Sequence, residues 1–75
     1  MTREIMLHID EDLGTDGRLA LVDHLHARFE AVRIEVRDSD KPHLLFFSFD
    51  STKLSPHTLI QAIQDKGYHA QVVDL

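Results

Sequence analysis

The chain contains no cysteine. Disulfides are excluded, and so is any metal site built on thiolates. No apolar run approaches the ~20 residues that a membrane span requires. The first residues, Met1-Thr2-Arg3-Glu4, lack the apolar core of a signal peptide. The expectation is a cytoplasmic protein with no membrane insertion. Basic clusters are missing too: eight Lys and Arg are scattered among thirteen acidic residues, for a formal net charge of −5. Nucleic acid binding needs a positive surface to neutralise phosphates, so it is not expected. The sequence has no Ser/His/Asp arrangement, no phosphate-cradling glycine loop and no His-Glu-x-x-His helix, and an enzyme is not expected either.

What remains is a 75-residue chain, 43% apolar, with six histidines. That length makes one domain, residues 1–75, with a thin core. The apolar fraction is ordinary for a folded globular domain. Histidine is the commonest metal ligand and also an ordinary surface residue, so placement decides its meaning.

Glu4 to Ile9 alternates, with Ile5, Leu7 and Ile9 on one side and Glu4, Met6 and His8 on the other, the pattern of a half-buried strand. The acidic, glycine-bearing stretch from Asp10 to Gly17 reads as a loop. Thr15 or Asp16 is placed to cap a helix running to about Glu30. A stripe centred on Val22 puts Leu19, Leu25, His26 and Phe29 on its buried face and leaves His24 solvated, so His24 and His26 point apart. Ala31 to Arg37 alternates again, with Val32, Ile34 and Val36 inward. Asp38 to Pro42 is a polar turn, and His43 to Phe49 is a strand apolar on both faces.

The second helix is strongly punctuated. Ser55 is its N-cap and Pro56 its first residue, where a missing N–H costs nothing. Leu54 and Leu59 can staple the entry, and Leu59, Ala62 and Ile63 form the buried stripe. Gly67 supplies a left-handed C-terminal cap. Tyr68 to Val73 is the last strand, with Ala70 and Val72 inward and His69, Gln71 and Val73 outward.

Strand, helix, strand, strand, helix, strand is two β-α-β halves. That predicts an α+β, ferredoxin-like βαββαβ sandwich: a four-stranded antiparallel sheet in the order 4-1-3-2 with both helices on one face.

Leu7-x-Ile9, Leu19-x-x-Val22-Asp23, Phe47-x-Phe49-Asp50 and the run from Leu59 to Gly67-Tyr68-x-Ala70 together resemble the heavy-metal-associated domain family. That family includes copper chaperones, a mercury-binding periplasmic carrier and modules of metal-pumping ATPases. The resemblance spans nearly the whole chain and implies a metal-binding or metal-transport role. It also implies a soft ion held by two cysteines, C-x-x-C, in the loop after the first strand. Here Thr15 and Arg18 occupy those positions by register. Neither is a soft ligand, and Arg18 sets a positive charge where the ion would sit. Tyr68 matches the residue that supports the family's metal loop.

The predicted topology offers two surfaces of its own. Strand order gathers His8, His43 and His69 at one end of the sheet beside Asp10-Glu11-Asp12. His8 and His69 share outward parity on neighbouring strands, which would bring them within several Å. Imidazoles with a carboxylate suit Zn²⁺, Ni²⁺ or Cu²⁺. The acidic triplet alone does not fit the alternating ligands of a calcium loop. The second surface is the open sheet face, where Met6, Leu44 and Phe46, flanked by Val73, form an apolar patch suited to a protein partner or a homodimer.

Overall fold

A computed structural model describes residues 1–73. The elements are β1 (Thr2–Ile9), α1 (Gly14–Arg28), β2 (Ile34–Asp38), β3 (Leu44–Asp50), α2 (Pro56–Asp65) and β4 (Ala70–Val72). The sheet runs β2-β3-β1-β4, the predicted order read from the other edge, and every neighbouring pair is antiparallel. β1 and β3 form the centre, with Ile5 opposite Phe47 and Met6 opposite Phe46.

Alternation along the two central strands separates the faces. Ile5, Leu7 and Ile9 of β1 and Leu45, Phe47 and Phe49 of β3 are buried under the helices. They meet Leu21 and Leu25 of α1 and Leu59, Ala62 and Ile63 of α2 in one core. Both helices bury their apolar residues against this single face, so the other face has no layer over it.

The second helix follows its punctuation. The Ser55 hydroxyl accepts the Thr58 N–H, and Pro56 opens the helix. At its end Gly67 takes φ +102°. The Gly67 N–H reaches the Gln64 carbonyl and the Tyr68 N–H reaches that of Ile63. This pairing satisfies two helix-end carbonyls, and the φ it needs is one that glycine adopts without strain.

The first helix departs from expectation in register and capping. Leu21 and Leu25 are fully buried, Leu19 is 55% exposed, His26 is exposed and Val22 and Phe29 are only half-buried. His24, expected in solvent, is half-buried, with a ring nitrogen on the Ala62 carbonyl of α2. Apolar residues occur all round this helix, so several stripes fit it. The core takes the i, i+4 pair Leu21/Leu25, which turns Leu19 away by about 200° at 100° per residue. His24 and His26 do point apart: His26 reaches the Ile34 carbonyl of β2. Neither Thr15 nor Asp16 caps the helix. Leu13 holds the N-cap position without a side-chain bond, and its carbonyl closes the first turn with the Gly17 N–H. The helix ends at Arg28 rather than near Glu30.

Strand boundaries also move, with β3 one residue later at each end than expected, at Leu44–Asp50. β1 starts two residues before the expected Glu4. β2 starts at Ile34 because Val32 donates its N–H to Phe29 and closes the turn out of α1. β4 starts at Ala70 because Tyr68 belongs to the cap of α2. Val72 keeps inward parity opposite Leu7 yet is 46% exposed.

Candidate metal centre

The end of the sheet where β1 finishes carries His8, Asp10, Glu11, His43 and His69. β1 runs out at Ile9, and both neighbours are pinned there: Ile9 donates its N–H to the His43 carbonyl, and Asp10 donates its N–H to the His69 carbonyl. These two bonds bring His43 and His69 to opposite flanks of the β1 terminus.

On the β3 flank, His8 and His43 stack, with ring centroids 5.7 Å apart and planes inclined by 22°. A ring nitrogen of His43, Nδ1, lies 2.8 Å from the Ile9 carbonyl oxygen. A carbonyl only accepts, so Nδ1 carries the proton and, in the neutral ring, Nε2 keeps the lone pair. Metal-binding histidines are commonly oriented in this way, by donating their other N–H to a carbonyl or carboxylate. Nδ1 of His8 lies 3.1 Å from Oδ1 of Asp10. The approach is off the line of a hydrogen bond, and this nitrogen is shut away from solvent with no hydrogen-bond partner.

On the β4 flank, Glu11 holds His69 at two points. Its Oε1 accepts the His69 backbone N–H and its Oε2 accepts Nδ1, each at 2.7 Å. The imidazole hydrogen bond, then the backbone one, holds the Glu11 carboxyl below its ordinary range. The Glu11 hydrogen bond and charge, aided by Asp10, raise His69 above the ordinary imidazole value.

The three expected histidines therefore divide. His8 and His43 are in contact, while His69 is committed to Glu11. Among the described residues no group of three histidine or carboxylate side chains converges closely enough to hold a metal ion as it stands. Asp10 is the residue that sequence reasoning left inside an acidic loop. The signal for it was parity: in His8-x-Asp10, residues two apart on an extended chain face the same way.

Thr15 and Arg18 lie in the first two turns of α1. They line an open recess of about 220 Å³ together with Glu11, Leu13, Asp38 and His43. Arg18 forms an ion pair with Asp38 at the end of β2. A soft metal ion finds no thiolate here and meets a guanidinium instead, so the residues present do not fit a soft-ion site. Tyr68 is half-buried and packs on the core.

The open sheet face is less bare than its sequence suggests. Met6, Leu44, Phe46 and Val73 are each half-buried. The Arg37 guanidinium lies 4.9 Å from the Phe46 ring centroid and donates to Glu4 across the sheet at 2.8 Å. Ser48 donates to the same Glu4 oxygen. The patch thus carries a polar strap from β2 to β1.

No protein-family model and no curated protein matches this chain. Solved structures do. Oxidized MerP from Ralstonia metallidurans CH34 superimposes with a TM-score of 0.78 at 20% identity, covering 99% of this chain and 100% of that one. The copper-binding domain of HMA7, a P-type ATPase, superimposes with a TM-score of 0.67 at 15% identity, covering 96% and 95%. The likeness is one of fold, end to end, and the fold that the sequence resembled is the fold that the chain adopts.

Proposed function

We propose that this chain is a small metal-handling domain that binds a borderline divalent ion, Zn²⁺, Ni²⁺ or Cu²⁺, through histidine instead of a soft ion through thiolates. It is a binding protein on this reading, not an enzyme. The observation that carries the reading is the His8–His43 pair at the end of the central strands, with the His43 proton placed on the Ile9 side and Nε2 left as a donor. The scaffold adds weight, because one of its structural neighbours is a copper-binding domain. The test is thermal unfolding with and without one equivalent of each ion, alongside the histidine resonances by NMR. A rise in melting temperature that His8→Ala or His43→Ala abolishes is expected. Indifference of both the melting curve and the resonances to all three ions would overturn the reading.

A second reading draws on the contiguity of Met6, Phe46 and Leu44 on the uncovered face. There the chain is a protein-interaction or homodimerisation module with no metal. Solution mass separates the two: a dimer that Phe46→Glu dissociates, with no metal response, favours this one.

A further inference from the structure

We infer that β4 opens as a separate unit: it leaves the sheet while the rest of the fold stays intact, and the double contact between Glu11 and His69 is the lock that holds it. This behaviour belongs to the metal-free chain and is independent of ion binding.

Every other element is anchored by a buried side chain. β1 holds Ile5, Leu7 and Ile9 in the core, β3 holds Leu45, Phe47 and Phe49, and the far edge strand β2 holds Ile34. Each helix holds at least two more. β4 buries none: Ala70 is half-buried, and Gln71 and Val72 are exposed. Its ladder is also short. β1 is paired with β3 over seven residues, Thr2 to His8, and with β4 over only three, Leu7 to Ile9. Apolar burial is the main favourable term in folding, so a strand that supplies little of it opens at a lower free energy than the whole domain.

The lock spans the line of opening. Glu11 lies in the loop that stays with β1, and His69 leads into β4. Glu11 takes both the backbone N–H and the imidazole Nδ1 of His69, each at 2.7 Å. One residue earlier, the Tyr68 N–H is fixed on the Ile63 carbonyl in the cap of α2, so the moving segment begins at His69. When it leaves, the Asp10 N–H loses the His69 carbonyl and the Met6 carbonyl loses the Val73 N–H. The central strand is then bare along one edge, from Met6 to Asp10, which is the surface on which another extended segment can pair.

Two adjacent amides report the two flanks of β1 separately. The Ile9 N–H is bonded to His43 on the β3 side, and the Asp10 N–H to His69 on the β4 side. The test is native-state hydrogen exchange by NMR on the full chain in metal-free buffer, corrected for intrinsic rates. In wild type, Asp10 is expected to open at least about tenfold more often than Ile9, and with a weaker dependence on low urea. Ile34→Val, a mild core change at the opposite edge of the sheet, lowers the stability of the closed and β4-open forms alike. It is expected to speed Ile9 by about two- to tenfold and to leave Asp10 unchanged. Glu11→Gln weakens only the closed form, so it is expected to speed Asp10 by about two- to fivefold. Equal opening and equal urea dependence at the two amides, or an Ile34→Val variant that speeds both by the same factor, would mean that β4 leaves only when the whole domain unfolds, and the inference fails. If Glu11→Gln leaves Asp10 exchange unchanged, the lock is wrongly assigned.

Discussion

Glu11 and His69 are joined twice across 58 residues of sequence, through the backbone N–H and the imidazole of the same histidine. The contact ties the loop after β1 to the approach of β4, an edge strand of only three residues.

This clasp gives a defined dependence of stability on pH. His69 is raised by folding, so its contribution is fully present below the ordinary imidazole value of 6.5 and is lost as pH rises through the higher folded value. Glu11 is lowered, so its contribution is present above 4.5 and is lost as pH falls through the lower folded value. The pair therefore stabilises most between those two ordinary values. In metal-free buffer, Glu11→Gln is expected to lower the melting temperature by roughly 1–4 °C in that window and to flatten the decline above it. A melting-temperature profile identical to wild type at every pH would refute the clasp.

The acid side has a separate marker. Asp50 closes the turn after β3 by accepting the Thr52 hydroxyl and N–H, and it also receives the Met1 ammonium. These contacts, the Thr52 hydroxyl first, pull its carboxyl down to about 2. Its contribution is present above 3.8 and is lost as pH falls toward 2, so Asp50→Asn is expected to make the lower acid limb shallower. NMR titration of the Asp50 carboxyl checks the premise directly.

The rotation of α1 predicts an unequal pair of leucines. Leu21 has no exposed surface and Leu19 is mostly exposed. Leu21→Ala is expected to cost about 2–5 kcal/mol, and Leu19→Ala no more than about 0.5 kcal/mol. A domain of this length has roughly 4–11 kcal/mol in total, so the first change removes a large share. Urea unfolding of the two variants measures the difference, and equal costs would restore the Val22-centred stripe.

The ends of α2 should respond to small changes. Ser55→Ala is expected to cost about 1 kcal/mol through the lost acceptor for Thr58. Gly67→Ala meets no atom within 4 Å, so any cost above that of an ordinary surface change comes from its φ of +102° alone. That cost is expected to exceed about 1 kcal/mol. Chemical denaturation checks both.

How much of this was legible depended on how local each signal was. α2 was readable almost residue by residue because Ser55, Pro56 and Gly67 each impose a backbone state by their own chemistry. The buried face of β1 was readable because strict alternation leaves only two choices and Ile5, Leu7 and Ile9 make the apolar one, whereas β3 is apolar on both faces and its pairing with β1 is what turns Leu45, Phe47 and Phe49 inward. α1 was not readable, because Leu19, Leu21, Val22 and Leu25 fit more than one stripe and the packing against α2 decides. At the candidate site, strand order brought His8, His43 and His69 to one end of the sheet. It could not foresee that Glu11 would draw His69 aside, or that the His8 ring would meet Asp10 off the hydrogen-bond axis. Those outcomes depend on rotamers and on the path of a loop, which no periodicity records.

The central ladder also sets the order in which the molecule can assemble. Thr2 pairs with Asp50, and the far end of β1 pairs with residues 70–72. Both neighbours of β1 are therefore made long after β1 itself. At translation speeds of about 5–20 residues per second, that strand waits on the order of seconds before β3 exists. The β2–β3 hairpin is local and can close first. During synthesis Ile5, Leu7 and Ile9 are thus a sticky segment in search of an edge, and the earliest edge on offer is β3.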